Sequence, residues 1–186
     1  MEQVSPQRPP SKPSPKGLVQ VVTGDGKGKT TAALGTAIRA MGHGLKVYFI
    51  CFMKGDYPYG EWNILSQLPN FDVVRCGSRE FIDPENIKPE DREQARKALA
   101  LARETVLSGK YDLVVLDEVN LAVAWKLVAL DDVIKLINDK PPNVELILTG
   151  RRADDKLIQL ADLVTECRNI KHPYEKGIKA RRGIEY

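Results

Sequence analysis

One stretch, Leu18 to Met41 (LVQVVTGDGKGKTTAALGTAIRAM), constrains this chain more than any other. Leu18-Val19-Gln20-Val21-Val22 is short, apolar and rich in β-branched residues, the pattern of a strand buried on both faces. Thr23 to Thr31 (TGDGKGKTT) breaks that pattern, and good helix formers follow, with Ala33, Ala37, Ala40 and Met41 at helical spacing. Strand, glycine loop, helix is the setting of a phosphate-binding loop. Glycines admit positive φ and let backbone N–H groups approach phosphate oxygens. A helix starting near Gly28 adds its free N–H groups and the positive end of its dipole. The predicted nucleotide contacts are Gly24, Asp25, Gly26, Lys27, Gly28, Lys29, Thr30 and Thr31. Lys29 reaches the outer phosphates and the Thr30 hydroxyl is placed to ligand a magnesium ion. The pattern G-x-x-x-x-G-K-[ST] asks for glycine at position 23, where this chain has Thr23. A glycine-rich turn with no ligand is the competing account. The Lys29-Thr30 pair following Gly28 in the right setting favours a nucleoside triphosphate.

Length, 186 residues, suits one domain with a sizeable core. The net charge of +3 gives no warrant for a nucleic-acid partner, although Arg181-Arg182 and the basic head are local exceptions. Three widely spaced cysteines, Cys51, Cys76 and Cys167, lack metal-type spacing and read as small buried hydrophobes in a reducing compartment. No apolar run reaches membrane-spanning length, and the N-terminus lacks a signal-peptide core, so a cytoplasmic location is expected. Residues 1–17 are expected to form a flexible, proline-rich basic tail: residues 1–16 hold five prolines and no apolar periodicity. Residues 18–170 are expected to be the nucleotide-binding α/β domain, with the basic segment 171–186 part of it and not packed as a regular element.

Strands are predicted at 45–52, 71–76, 111–118, 144–149 and 163–167, alternating with helices at 61–68, 90–108, 121–126, 130–138 and 154–160. That alternation gives an α/β fold with a mostly parallel central sheet flanked by helices. Ligands of such sheets gather beyond the carboxyl ends of the strands. Lys54, just past the second strand, either faces the triphosphate or is a solvated lysine. Leu113-Val114-Val115-Leu116 runs into Asp117-Glu118, a buried strand whose carboxylates emerge at its carboxyl end. Phosphate-loop proteins place a carboxylate there because Mg²⁺ prefers oxygen ligands; spacing does not say whether Asp117 or Glu118 touches the metal. Arg151, after the next strand, is either a phosphate contact or an exposed structural arginine.

These residues point to a magnesium-dependent nucleoside triphosphate enzyme and then leave three routes open. An ATPase or small-molecule kinase would use Asp117 and Glu118 for hydrolysis or phosphoryl transfer. A transferase acting elsewhere on the nucleotide would use loop and metal to hold the triphosphate. A sensor would bind without turnover.

Across residues 18–186 the chain resembles the P-loop ATP:corrinoid adenosyltransferases of cobalamin biosynthesis and salvage. The likeness rests on TGDGKGKTTAALGTAIRAMGHG, on VVLDEVNLAV and, most specifically, on LTGRRADDKLIQLADLVTECRNIKHPYEKGIKARRGIEY. The resemblance implies a RecA-like P-loop fold, a homodimer and a transferase reaction. Cobalt(I) of a reduced corrinoid attacks C5′ of ATP and triphosphate departs, with ATP reversed in the loop relative to ordinary NTPases. Cobalt(I) is itself the nucleophile, so the protein positions the two substrates and neutralises the leaving charge. Lys29 and Glu118 are then the catalytic residues, and Thr30 and Glu118 hold Mg²⁺ or Mn²⁺ with Asp117 close by. A reductase or flavoprotein would supply the electron. The family carries a Phe-Thr-Trp segment after its third strand, whose aromatics displace the lower axial ligand of cobalt(II). Here that stretch reads GSREFIDPEN, so Phe81 either keeps half of the corrinoid-binding role or anchors its loop.

Overall fold

The computed structural model describes residues 16–78 and 82–186. Six short strands form the sheet: β1 (Val19–Thr23), β2 (Val47–Cys51), β3 (Phe71–Arg75), β4 (Leu113–Asp117), β5 (Glu145–Thr149) and β6 (Leu163–Glu166). Their order is β3-β2-β4-β5-β1-β6, and every described pair is parallel. The mostly parallel α/β sheet expected from the sequence is thus wholly parallel among the described residues. Parallel neighbours need crossover connections, and these carry α1 (Lys29–Gly42), α2 (Trp62–Leu65), α3 (Pro89–Leu107), α4 (Val119–Ala124), α5 (Leu130–Asp139) and α6 (Asp155–Leu160).

Alternate strand side chains go to opposite faces, so two cores form. On one face Val22, Phe49, Leu113, Val115 and Ile147 pack with Ala33 and Ala37 of α1 and Trp62 of α2. On the other, Val21, Ile50, Val114, Leu116 and Leu148 meet Ala98 and Ala102 of α3, Val119 and Ala122 of α4, and Leu136 of α5. All five residues of β4 are buried, as a strand covered on both faces requires. Each fully buried Leu, Ile or Phe contributes about 1.5–3 kcal/mol.

Several boundaries differ from the sequence expectation for local reasons. The helix expected at 121–126 begins at Val119, because Glu118 turns the chain in the left-handed region (φ 65) directly after β4. The one expected over 61–68 contracts to Trp62–Leu65. The C-terminal segment, expected to lack regular structure, contains a 3-10 turn at Pro173–Lys176. The His172 Nδ1 accepts from the Tyr174 N–H at its start, and Gly177 (φ 72) ends it. Cys51 is buried and Cys76 and Cys167 are half-buried, all three as free thiols. Residues 1–15 and Phe81 lie outside the described residues.

The strand order sets the spacing of the candidate site. β5 lies between β1 and β4, so the loop leaving β1 and the carboxylates leaving β4 are two strand spacings apart, roughly 10 Å. Thr149, the last residue of β5, stands between them.

Candidate functional site

The chain leaves β1 through Thr23 and turns at Gly24 (φ 95) and again at Gly28 (φ 122), conformations that side chains with a Cβ rarely adopt. A Cβ on Gly24 would also lie 2.4 Å from the Cys167 carbonyl oxygen. The loop is therefore clamped against the segment leaving β6, and the Gly26 N–H donates to that same carbonyl at 2.7 Å. Thr23, where the motif asks for glycine, braces the loop. Its Oγ1 accepts from the Ala153 N–H at 3.2 Å, tying the loop strand to the turn after β5. α1 starts at Lys29 with no side-chain cap, leaving its first N–H groups open to an anion. Lys29 is buried, and its ammonium donates to the carbonyls of Gly24 (2.7 Å) and Gly26 (2.6 Å). Burial pulls its pKa down, against the attraction of Glu118. Asp25, Lys27 and Thr31 are exposed along the loop and the first turn of the helix.

Across the gap stands a buried cluster around Asp117. Its Oδ1 accepts from Thr149 Oγ1 (2.6 Å) and Thr30 Oγ1 (2.9 Å), and its Oδ2 from Lys54 Nζ (2.6 Å). The Lys54 ammonium also reaches Thr30 Oγ1 at 3.0 Å and lies 3.9 Å from Glu118 Oε1. Burial works against that ammonium, but Asp117 and then Glu118 outweigh it and push its pKa upward. Lys54 is thus no solvated lysine. Its placement follows from Met53, whose left-handed backbone (φ 58) turns the chain after β2.

Glu118 also has a left-handed backbone, a rare state for a residue other than glycine and one that clusters at functional sites. The N–H of Glu118 donates to Thr149 Oγ1 at 3.0 Å, fixing the turn. One carboxylate oxygen, Oε2, is buried without a hydrogen-bond partner among the described residues. Burial, and then the neighbouring Asp117, raise its pKa, while Lys54, Lys29 and Arg151 oppose that rise. A buried carboxylate oxygen left unpaired is costly, and a hard cation is one group that would satisfy it. The Thr30 hydroxyl and the carboxylates of Asp117 and Glu118 together could hold such a cation, which binds proteins through one or two carboxylates plus substrate phosphates.

Two cavities meet here. One, about 580 Å³, is lined by the loop from Gly26 to Thr31, by Lys54, Tyr59, Glu118 and Arg151, and by the C-terminal residues Gly183 to Tyr186. Arg151 stands exposed at its rim. The other, about 210 Å³, is walled mostly by apolar and aromatic side chains, including Met53, Tyr57, Ile82, Leu121 and Trp125. Lys54, Tyr59 and Glu118 line both cavities.

The structure therefore brings together the predicted loop residues, Lys54, Asp117, Glu118 and Arg151. Phe81 alone of the predicted site residues lies outside the described segments. Sequence reasoning missed Thr149, Tyr59, Trp125, Glu185 and Tyr186. The C-terminal segment folds back over the loop, where Lys27 Nζ pairs with Glu185 Oε1 (3.0 Å) and donates to the Ile184 carbonyl (3.2 Å). The rings of Tyr57 and Tyr186 meet edge to face with centroids 5.4 Å apart. Glu185 also accepts from the Arg181 backbone N–H, Nε and Nη2. These contacts, Arg181 foremost and Lys27 after it, depress its pKa to about 2. A four-residue Arg-Glu spacing was the only local hint of that fold-back.

Residues 15–186 match the family described as ATP:corrinoid adenosyltransferase BtuR/CobO/CobP. A corrinoid adenosyltransferase of Escherichia coli (strain K12) is 39% identical over 172 residues, covering 92% of this chain and 86% of the relative. One from Salmonella typhimurium is 38% identical over 172 residues, with the same coverage of both chains. Another, from Pseudomonas aeruginosa, is 34% identical over 171 residues, 92% of this chain and 84% of the relative.

Proposed function

The chain belongs to the ATP:corrinoid adenosyltransferase family, and from that premise we propose how its own residues carry out the transfer. As a corrinoid adenosyltransferase it joins two substrates of opposite character, a highly charged nucleotide and a large, mostly apolar macrocycle. One observation carries the assignment of parts: the polar loop cavity and the apolar recess share Lys54, Tyr59 and Glu118 as common lining. ATP lies with its triphosphate on the loop, and the reduced corrinoid approaches from the recess, so that C5′ and cobalt(I) meet at the common wall. The cobalt–carbon bond forms as the C5′–oxygen bond breaks, and the electron pair leaves with the triphosphate.

The protein contributes alignment and charge neutralisation. Gly24 to Thr31 cradle the triphosphate through backbone N–H groups and the start of α1. Lys29 leaves the loop carbonyls for the phosphates and is the main countercharge, with Lys27, Lys54 and Arg151 around it. Thr30 and Glu118 hold the divalent cation, Mg²⁺ or Mn²⁺, with Asp117 behind them; the unpaired Glu118 oxygen and the ammonium drawn into this cluster support that reading. When bound, the cation neutralises part of the developing triphosphate charge. Tyr57, Tyr59 and Trp125 supply aromatic surface to the corrinoid side of the wall.

A homodimer is supported by the exposed edge strand β6, where Leu163 and Val164 are about half exposed (48% and 40%). A reductase or flavoprotein delivers the electron that makes cobalt(I). The site of action is the cytoplasm; among the described residues no helix is long and apolar enough to cross a membrane.

Product analysis with ATP, Mg²⁺ and a chemically reduced cobalt(I) corrinoid under anaerobic conditions tests the whole. Corrinoid-dependent triphosphate with a light-sensitive alkylcobalt spectrum is expected. ADP and phosphate, formed with or without corrinoid, would overturn the reading in favour of an ATPase or kinase using Asp117 and Glu118. Binding without product would leave a sensor.

A further inference from the structure

Lys54 already stands among the oxygens assigned to the cation. Lys54 Nζ lies 2.6 Å from Asp117 Oδ2, 3.0 Å from Thr30 Oγ1 and 3.9 Å from Glu118 Oε1. A magnesium ion needs oxygen ligands at about 2.0–2.1 Å, and it cannot share that space with an ammonium group. We propose that Lys54 is a built-in cation that holds the metal position, excluding free divalent metal until metal arrives together with the triphosphate. This rests on the assignment of Thr30 and Glu118 as metal ligands made above.

Three features of the site carry the inference. Asp117 is fully buried, and its Oδ2 has Lys54 as its partner, whereas Oδ1 is filled by Thr30 and Thr149. A buried carboxylate stripped of its counterion is strongly unfavourable, so Lys54 leaves only when another cation replaces it. The backbone on either side of Lys54 is fixed. Met53 is left-handed, and a Cβ on Gly55 would come within 2.5 Å of the Ser78 carbonyl oxygen. The four-carbon stem is what can move, and it faces the loop cavity with 16% of the side chain exposed. A second resting place stands ready, since the ammonium already lies 5.5 Å from the centre of the Tyr59 ring.

Charge then decides the order of events. Lys29, Lys54 and Arg151 outnumber the carboxylates of Asp117 and Glu118 in this cluster, so a bare divalent ion meets a net positive charge. A triphosphate reverses that balance, taking Lys54 as a phosphate ligand while the metal takes the vacated oxygens. Metal and nucleotide are therefore positively coupled through one side chain.

The test measures Mn²⁺ affinity by electron paramagnetic resonance, without nucleotide, for the wild type and for Lys54→Gln. The glutamine keeps a hydrogen-bond donor for Asp117 but carries no charge. Lys54→Gln is expected to bind free Mn²⁺ at least about tenfold more tightly than the wild type and to gain more in melting temperature from Mn²⁺. Lys54→Arg, which keeps the charge, should bind it as weakly as the wild type, and it serves should the glutamine variant fold poorly. Equal free-Mn²⁺ affinity in wild type, Lys54→Gln and Lys54→Arg, abolished by Glu118→Gln, would overturn the proposal while leaving the metal ligands in place. If none of these proteins binds Mn²⁺ even with ATP present, the metal assignment itself falls and the proposal with it.

Discussion

Glu118→Gln should stabilise the nucleotide-free protein while it disables the enzyme. The Glu118 side chain is only 20% exposed, and its Oε2 is buried with no partner. An unsatisfied buried polar group costs about 1–3 kcal/mol. A neutral amide in the same place still lacks a partner but no longer carries a desolvated charge, so the gain is on the order of 1 kcal/mol. For a domain of this size that corresponds to a rise of about 2–4 °C in Tm. The pH dependence has a definite sign. Burial and Asp117 raise the Glu118 pKa on folding, so the folded state resists ionisation. The cost is absent below the unfolded value of 4.5, and it sets in as pH rises above it. The variant's advantage should therefore be smallest near pH 4 and should grow as pH rises toward 7. Thermal and urea denaturation at both pH values, without nucleotide or metal, measure it, and corrinoid-dependent triphosphate release measures the loss of turnover. A variant less stable than wild type at pH 7 would refute the reasoning, because attraction to Lys54 and Lys29 would then outweigh burial.

Lys29→Ala removes the main triphosphate countercharge; turnover should fall by about 10²–10³-fold while circular dichroism and Tm stay near those of the wild type, and near-normal activity would sink the phosphate-loop assignment. Glu185 makes a different kind of contact. Its pKa is depressed to about 2, so the C-terminal latch on Lys27 is fully present above the unfolded carboxyl value and is lost only as pH falls toward 2. Amide exchange at residues 183–186, corrected for intrinsic rate, should stay constant from pH 7 to about 5, whereas Glu185→Gln should raise it throughout.

The parts of this protein written locally were legible in its sequence. The buried strand Leu18–Val22, the glycine loop and the helix after it announce themselves by residue type and spacing, and so does the apolar run that ends in Asp117-Glu118. Residues brought in from afar were not legible. Thr149 reads as an ordinary strand end until strand order sets β5 between β1 and β4, which makes its hydroxyl a hydrogen-bond partner of Asp117. Lys54 offered two readings because its partners, Thr30 and Asp117, lie 24 and 63 residues away. The fold-back of Glu185 onto Lys27 spans 158 residues, and no periodicity encodes it. Thr23 looked like a flaw in a motif; its bond to Ala153 shows a position where the chain needs a hydroxyl more than a glycine.

The strand order also governs how the protein comes into being. Among the described strands β1 leaves the ribosome before the others, yet it pairs with β5 and β6, the two made after them. Two bonds that settle it in the sheet, Leu18 to Glu145 and Val19 to Asp162, join residues 127 and 143 positions apart. Parallel pairings of such separation form slowly, because loop closure must precede any reward from contact. During synthesis the Val19–Val22 segment therefore stays an unpaired apolar strand until the chain has passed Thr149, and its second edge stays open until Glu166 is made, the kind of exposed segment that chaperones exist to shield. The loop after β1 is clamped by the segment after β6, so the capacity to hold a triphosphate arrives only after Cys167 has been made.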